Sequence, residues 1–428
     1  ATLLLRHMAR PTHLPDDTIA DDFVTTRDHQ ASWKVAREYT TAGISGAHFG
    51  MYKAQASDPD LAQFDAAARS IPYRSGMAYK RWLKGIDAML LKSSGNIRSD
   101  KLRTILLMEA DFNMNNKKLS REGMWIAEKH KCVAPEQAGG RHDHTAHETA
   151  LNSRLIYDNS RFRRKAMAVC SNDAKGCFDR IVHSIAYICM RRFGIPPHAL
   201  KSMFTVIQKM THHIRTAFGD STRTYGPSPP GDTPYMGALQ GNGAAGTVWT
   251  AVSTVIINAM KSLGFGYSAR TAITNQMLHL LCFAFVDDTD LLHSVPSNYS
   301  KAADVQIEIQ TVRDHWDGLL RTTGGALEKS KSYWYLLDYE RRQGKWCFKP
   351  LAATPGDIHL FNDSTNQREP IERLHVTKAR KALGIFSRPD GKMKEEKEYL
   401  RSKAETWAAA VRSRRLRKHD AWYCLSDV

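Results

Sequence analysis

LLCFAFVDDTDLLHS, residues 280–294, decides the fold. Apolar runs flank the acidic pair Asp287 and Asp288, the pattern of a buried hairpin that carries carboxylates at its turn. A second acid occupies a comparable place. The stretch AMAVCSNDAKGCFDRIVHSIAYICMRRFG (166–194) begins as a short apolar strand and breaks at Ser171-Asn172-Asp173. It then resumes with Ile181, Ile185 and Ile188 at helical spacing. Asp173 and Asp287 therefore each stand where an apolar run ends. Two such strand ends side by side could share divalent cations, and magnesium prefers oxygen ligands of this kind. Taken singly, Asp173 also reads as a cap of the following helix and Asp287-Asp288 as decoration of a turn.

Outward from these stretches the chain is mixed α and β. Residues 1–60 are polar and without sustained periodicity, and read as an N-terminal extension. From 61 to about 132 helical patterns alternate with short apolar runs such as LRTILL (102–107), which suits a strand. YGPSPPGDTPYMG (225–237) is a turn-rich loop. The stretch from Met236 to Met260 carries no charged side chain, so it is the one place to ask about a membrane span. Its glycines, Gln240, Asn242 and several Thr and Ser favour a buried helix entered by a polar loop instead. Near the end, Leu400, Ala404, Trp407 and Val411 form one apolar helical face, followed by the basic cluster Arg412, Arg414, Arg415, Arg417 and Lys418.

Composition narrows the partner class. Over 428 residues, 61 Lys and Arg stand against 44 Asp and Glu, a net charge of +17 that favours a polyanion such as nucleic acid or an anionic membrane, between which charge alone does not choose. Seven cysteines without a CxxC pair argue against a disulfide framework or a standard zinc module, and fit a reducing compartment. HDHTAHE (142–148) lacks metal-ligand spacing and reads as a solvated or nucleic-acid-facing cluster. The chain opens on Ala1 and is expected to be a segment of a longer polyprotein.

The order of motifs resembles reverse transcriptases of the non-LTR retrotransposon type, especially a group common in the genomes of diatoms and related algae. DAKGCFD (173–179), LQGNGAAG (239–246) and FVDD (285–288) resemble the three palm motifs of that family, in order and at family spacing. LRTILLMEADFN (102–113) and EQAGGRHDHT (136–145) resemble its fingers motifs. ALEKSKS (326–332) resembles the motif after the catalytic hairpin, and ALGIF (382–386) the strand leading to the thumb. The resemblance covers roughly residues 40–410. Three positions depart from the family pattern: Gly140 stands where an aromatic is usual, Ala245-Gly246 where Ser-Pro is usual, and Glu328 where Asn is usual.

Carried over residue by residue, the resemblance implies Asp173 and Asp287 as principal ligands of two Mg²⁺ ions, with Mn²⁺ as a substitute. Asp288 stands beside them, and the Ala174 carbonyl is a backbone ligand. Phe178 takes the place of the steric gate against a sugar 2′-hydroxyl. Arg103 matches the arginine that grips the triphosphate, assisted by Lys92. Gln240 and Gly241 match the loop beneath the nascent base pair, and Lys331 a lysine suited to protonate pyrophosphate. Arg141, Arg412, Arg414, Arg415, Arg417 and Lys418 are expected at nucleic-acid phosphates, a sequence-independent and salt-sensitive contact. The last five also fit a nuclear-import signal.

The expected fold is α+β, a right-hand polymerase with fingers over 61–165, a palm over 166–350 interrupted by a second fingers piece at about 194–232, and a connection with a partial helical thumb over 351–428. The expected partners are an RNA template, a DNA or RNA primer and deoxynucleotides, with no membrane. The expected location is intracellular, in nucleus or cytoplasm. Endonuclease and RNase H activities are expected elsewhere in the polyprotein or supplied separately. Two alternatives stand beside this reading. An RNA-dependent RNA polymerase usually carries Gly where Val286 stands. A decayed copy would bind nucleic acid without catalysis.

Overall fold

The computed structural model describes all residues except 93–94, 96–97, 99–101, 228–235, 272, 296–301, 364, 383, 414–421 and 423–428. The chain is a mixed α+β protein built on two main sheets.

The first quarter is more ordered than its sequence suggests. Helices α1 (Thr2–Met8), α2 (Thr26–Lys34) and α3 (Phe49–Gln55) occupy the stretch expected as an irregular extension. Leu4, Met8 and Leu14 enter the main core, and Trp33 is fully buried against Phe49. Residues 1–60 are thus integral. Helices of seven to nine residues are too short to display a period, although Thr25 and Asp28 form a reciprocal capping box at the start of α2.

After α4 (Pro59–Ser75) come strands β1 (Lys84–Leu91) and β2 (Leu102–Leu107), then helices α5 (Ala110–Lys129) and α6 (Ala146–Arg163). Strand β3 (Met167–Asp173) leads to helices α7 (His183–Arg192) and α8 (Pro197–Lys209), followed by strands β4 (Thr211–Thr216) and β5 (Gly219–Tyr225). β4 returns beside β1 to complete a four-stranded sheet in the order β2-β1-β4-β5. The piece at 211–225 therefore joins the sheet of 84–107.

The uncharged stretch forms α9 (Ala245–Lys261), whose side chains are buried almost without exception. No helix among the described residues is long and apolar enough to cross a membrane. Next come the hairpin β6 (Tyr267–Arg270) and β7 (Met277–Leu280), then β8 (Cys282–Phe285), β9 (Asp288–His293), α10 (Ala302–Thr322) and β10 (Tyr333–Leu337). Two small hairpins follow, β11 (Tyr339–Arg342) with β12 (Lys345–Phe348), and β13 (His359–Asn362) with β14 (Gln367–Pro370). Strand β15 (Glu372–Leu374), the hairpin β16 (Arg380–Ala382) and β17 (Ile385–Ser387), and helix α11 (Lys394–Ser413) are the last elements among the described residues.

The central sheet has the order β15-β10-β3-β9-β8. Because β15 lies at 372–374, this sheet runs past residue 350, where the palm was expected to end. Period-2 alternation gives its two faces different characters. Ala168 and Cys170 point into the large core that also holds α9 and α10. Met167, Val169, Leu292, Tyr335 and Leu337 pack on the other face. In α11 only Glu396 is buried, so the stripe of Leu400, Ala404, Trp407 and Val411 is left largely uncovered within the chain.

Candidate active site

Along the second face of the central sheet, the cross-strand register turns from apolar to acidic. Val169 is paired with Leu292, Ser171 with Asp290, and Asp173 with Asp288. Tyr335 and Tyr333 continue the first two of these rows on β10. Side chains two apart on a strand share a face, so Asp173, Asp288 and Asp290 stand on one side of the sheet at one end. Asp287 sits in the turn between β8 and β9.

That turn is strained and held from behind. Val286 has φ 57°, at the first turn position of a two-residue hairpin where Gly is usual. A β-branched residue in this region costs on the order of 1–3 kcal/mol unless its surroundings enforce it. Here they do so through the fully buried side-chain amide of Gln137. Its Oε1 accepts from Val286 N at 3.1 Å and Gly139 N at 2.9 Å, while Nε2 donates to Val286 O at 3.2 Å and Ser253 Oγ at 3.0 Å. The Trp249 indole N–H also donates to Val286 O. Gly139 is needed at this place, since a Cβ there would lie 2.1 Å from Val286 N.

The EQAGGR stretch, expected within the fingers, thus braces the acidic hairpin directly. Ala284 N donates to Glu136 O at 3.0 Å and Ala138 N to Ala284 O at 2.8 Å, so residues 136–138 lie along the free edge of β8. Arg141 anchors the same stretch to α5 through a bidentate pair with Glu128 at 2.6 and 2.7 Å and a bond to Gln137 O. Its guanidinium is engaged within the protein rather than presented for phosphate contact.

Electrostatically the carboxylates are crowded. Burial, then the neighbouring Asp173 charge, raises Asp287, while Lys331 and Arg103 oppose the rise. For Asp288, burial of the carboxyl followed by repulsion from Asp287, Asp173 and Asp290 pushes the pKa up to about 6, although the residue's outer edge stays accessible. Burial likewise raises Asp290, which receives a hydrogen bond from Ser171. Lys331 Nζ donates to Asp173 Oδ2 at 2.9 Å. That bond raises the lysine's own pKa.

The donor set suits a hard divalent cation, since it consists of carboxylate oxygens whose mutual repulsion an ion would relieve. The Ala174 carbonyl can join them. The bridge of Ala174 to Leu327 is closed by Lys175 N to Ala326 O and Glu328 N to Asp173 O, so it does not consume that carbonyl. Among the described residues no three His, Cys, Asp or Glu side chains converge closely enough to form a ready-made cage. With Asp173 turned to Lys331, the acids line one edge rather than surround a point.

The acidic excess predicts a pH dependence. An aspartate whose pKa rises from 3.8 unfolded to about 6 folded costs stability above that window and nothing below it. The Tm of Asp288→Asn in EDTA is therefore expected to exceed the wild-type Tm at pH 7. The difference should close as the pH falls to about 4, through the window set by these two pKa values. A variant less stable than wild type at pH 7, or a pH-independent difference, contradicts this picture.

The remaining expected residues divide into two groups. Phe178 is half-buried, and its carbonyl accepts from Ala238 N at 2.6 Å, which ties it to the loop carrying Gln240 and Gly241. Gln240 O accepts from Leu106 N at 2.7 Å. Gly241, at φ 109°, packs so closely that a Cβ would lie 2.3 Å from Leu106 O. Its close approach is to β2 of its own chain. Arg103 is exposed on β2, and its positive charge lowers Asp287. Lys92 is exposed beyond β1 and stabilises the Asp179 carboxylate against the burial that raises it. Arg412 is exposed on α11, while Arg414, Arg415, Arg417 and Lys418 lie outside the described residues.

Beside the acids opens a cleft of about 490 Å³ lined by Asp173, Asp288, Asp290, Lys331, Arg380 and Lys381 among others. The six described cysteines are free, none in a disulfide. No family model matches this chain, and no curated protein matches it.

Proposed function

We propose that the chain is an RNA-directed DNA polymerase that adds deoxynucleotides to a primer 3′-hydroxyl. The observation that carries this reading is the register of Asp173 at the end of β3 with Asp288 at the start of β9, and Asp287 on the braced turn beside them. Two divalent ions bound there would lower the pKa of the attacking hydroxyl and stabilise the departing pyrophosphate. Asp173 and Asp287 supply the principal oxygens, with Asp288 and the Ala174 carbonyl beside them. The exposed Arg103, whose charge is felt by Asp287, is suited to a triphosphate. Lys331 keeps its proton while paired with Asp173. Once Asp173 turns to another partner, Lys331 becomes the better acid, positioned for a leaving phosphate.

The reading of a preference for deoxynucleotides is supported by the bond from Ala238 N to the Phe178 carbonyl, which joins the gate candidate to the loop that carries Gln240. The test is primer extension with Mg²⁺ on RNA and DNA templates, comparing deoxynucleotides with ribonucleotides. Preference for ribonucleotides would favour an RNA polymerase, and binding without extension a decayed copy.

Phe178→Ala is expected to lower discrimination against ribonucleotides about tenfold or more, since relieving a steric exclusion of one small group is worth about 1–3 kcal/mol. The ratio of kcat/KM for the two nucleotide classes measures it. An unchanged ratio would assign Phe178 to the core alone.

A further inference from the structure

The apolar face of the central sheet ends, opposite the aspartates, at a basic and aromatic surface. Helix α6 closes on Arg161, Phe162 and Arg163, with Arg164 as its left-handed C-cap at φ 56°. The β11–β12 hairpin lies beside it. Its register pairs Tyr339 with Phe348 and Arg341 with Trp346, so these four share one face. Ser160 Oγ and the Tyr339 hydroxyl are 2.8 Å apart, which fixes that ring. The Arg164 guanidinium lies 5.8 Å from the Tyr339 ring centre and 5.7 Å from that of Trp346. These three residues form a common wall of two clefts of about 990 and 450 Å³. At the rim, Phe162 is 83% and Trp346 52% exposed.

The charges do not cancel. Asp158 pairs with Arg161, Glu340 with Arg342 and Asp338 with Lys349. Arg163, Arg164, Lys165, Arg341 and Lys345 then remain without a carboxylate partner among the described residues. Arg163 and Arg341 bond only backbone carbonyls, those of Arg270 at 3.1 Å and Gly344 at 3.4 Å. Burial, then the charge of Arg163, lowers the pKa of Lys165.

We propose that this surface is a second nucleic-acid contact, a seat for a single strand whose bases stack on Phe162 and Trp346 and whose phosphates meet Arg163 and Arg341. Unpaired bases offer π-faces to exposed rings, which a duplex does not, and aromatic rings set among cations are the usual solution for single strands. An acidic peptide would use the charge and leave the rings idle. Six residue steps of β3 separate Met167 from Asp173, so the surface lies about 20 Å from the acids along the sheet at ~3.3 Å per residue. The proposal rests on the polymerase reading only for the source of the strand, an RNA template.

The test measures binding of fluorescently labelled polyuridine to the full chain by anisotropy, in Mg²⁺-free buffer over a salt series. Phe162→Ala with Trp346→Ala is expected to weaken binding about tenfold or more, since each stacked base is worth about 1–3 kcal/mol. Arg163→Gln with Arg341→Gln is expected to reduce the slope of log K against log salt by about 1.4, at ~0.7 per phosphate contact. Asp287→Asn should bind as wild type does, so loss of extension and loss of this contact are read separately. Unchanged affinity and slope in both surface variants overturn the proposal. Equal displacement of the strand by polyglutamate, lost in the same variants, also overturns it, in favour of an acidic protein partner.

Discussion

Asp287→Asn is expected to reduce primer extension at least about 10³-fold, the upper part of the range for removing one group that stabilises developing charge. The substitution keeps the shape of the side chain and removes the charge that, on the two-metal reading, would draw cations to the turn. It should not unfold the protein. Burial and the repulsion of Asp173 already work against the Asp287 carboxylate, so the neutral amide relieves a cost in the metal-free chain. Its Tm in EDTA is therefore expected to equal or exceed that of wild type. Adding Mg²⁺ should reverse the order, because an ion that binds only the folded state stabilises by mass action. Wild type gains Tm with Mg²⁺ and the variant gains less. The two-metal reading fails if the variant extends primers at a rate near that of wild type, or if Mg²⁺ leaves the wild-type Tm unmoved.

The acidic end of the central sheet was legible because strand alternation is short-range. The apolar run before Asp173 and the run on each side of Asp287-Asp288 contain their own period, and they fold as β3, β8 and β9. The long uncharged stretch was legible for the same reason and forms α9. Asp290 was missed although it obeys the same rule, lying two residues beyond Asp288 on the same strand face. Long-range pairing left no such mark. Nothing local says that 136–138 runs beside 284, or that 372–374 adds a strand to the sheet of 167–173. The burial of Leu4 and Met8 was hidden for a related reason, since a seven-residue helix gives too few turns to count. The basic surface of α6 and the β11–β12 hairpin escaped notice because its halves lie far apart in sequence and each half alone is an ordinary charge run.

Gln137→Leu is expected to be the most damaging substitution that removes no charge. Leucine fills much of the same volume but leaves the N–H groups of Val286 and Gly139 without their acceptor, in a place closed to water. At about 1–3 kcal/mol for each of the two buried orphan donors, the chain should lose about 2–6 kcal/mol of stability. Activity should fall further than stability. Val286 occupies a left-handed conformation that a β-branched residue leaves when unbraced, and Asp287 is the next residue. With Trp249 still bonded to the Val286 carbonyl, the turn persists but the Asp287 carboxylate is free to move. Displacing a reacting group by about 1 Å can cost about 10²-fold, so kcat should drop by that order with little change in the KM for nucleotide. Val286→Gly supplies the rescue. Glycine adopts this φ without strain and needs no brace to hold it. In the Gln137→Leu background it should restore part of kcat without restoring stability, because the orphaned donors remain. A purely structural role for Gln137 predicts the opposite, with kcat per folded molecule unchanged in Gln137→Leu and no response to glycine at 286.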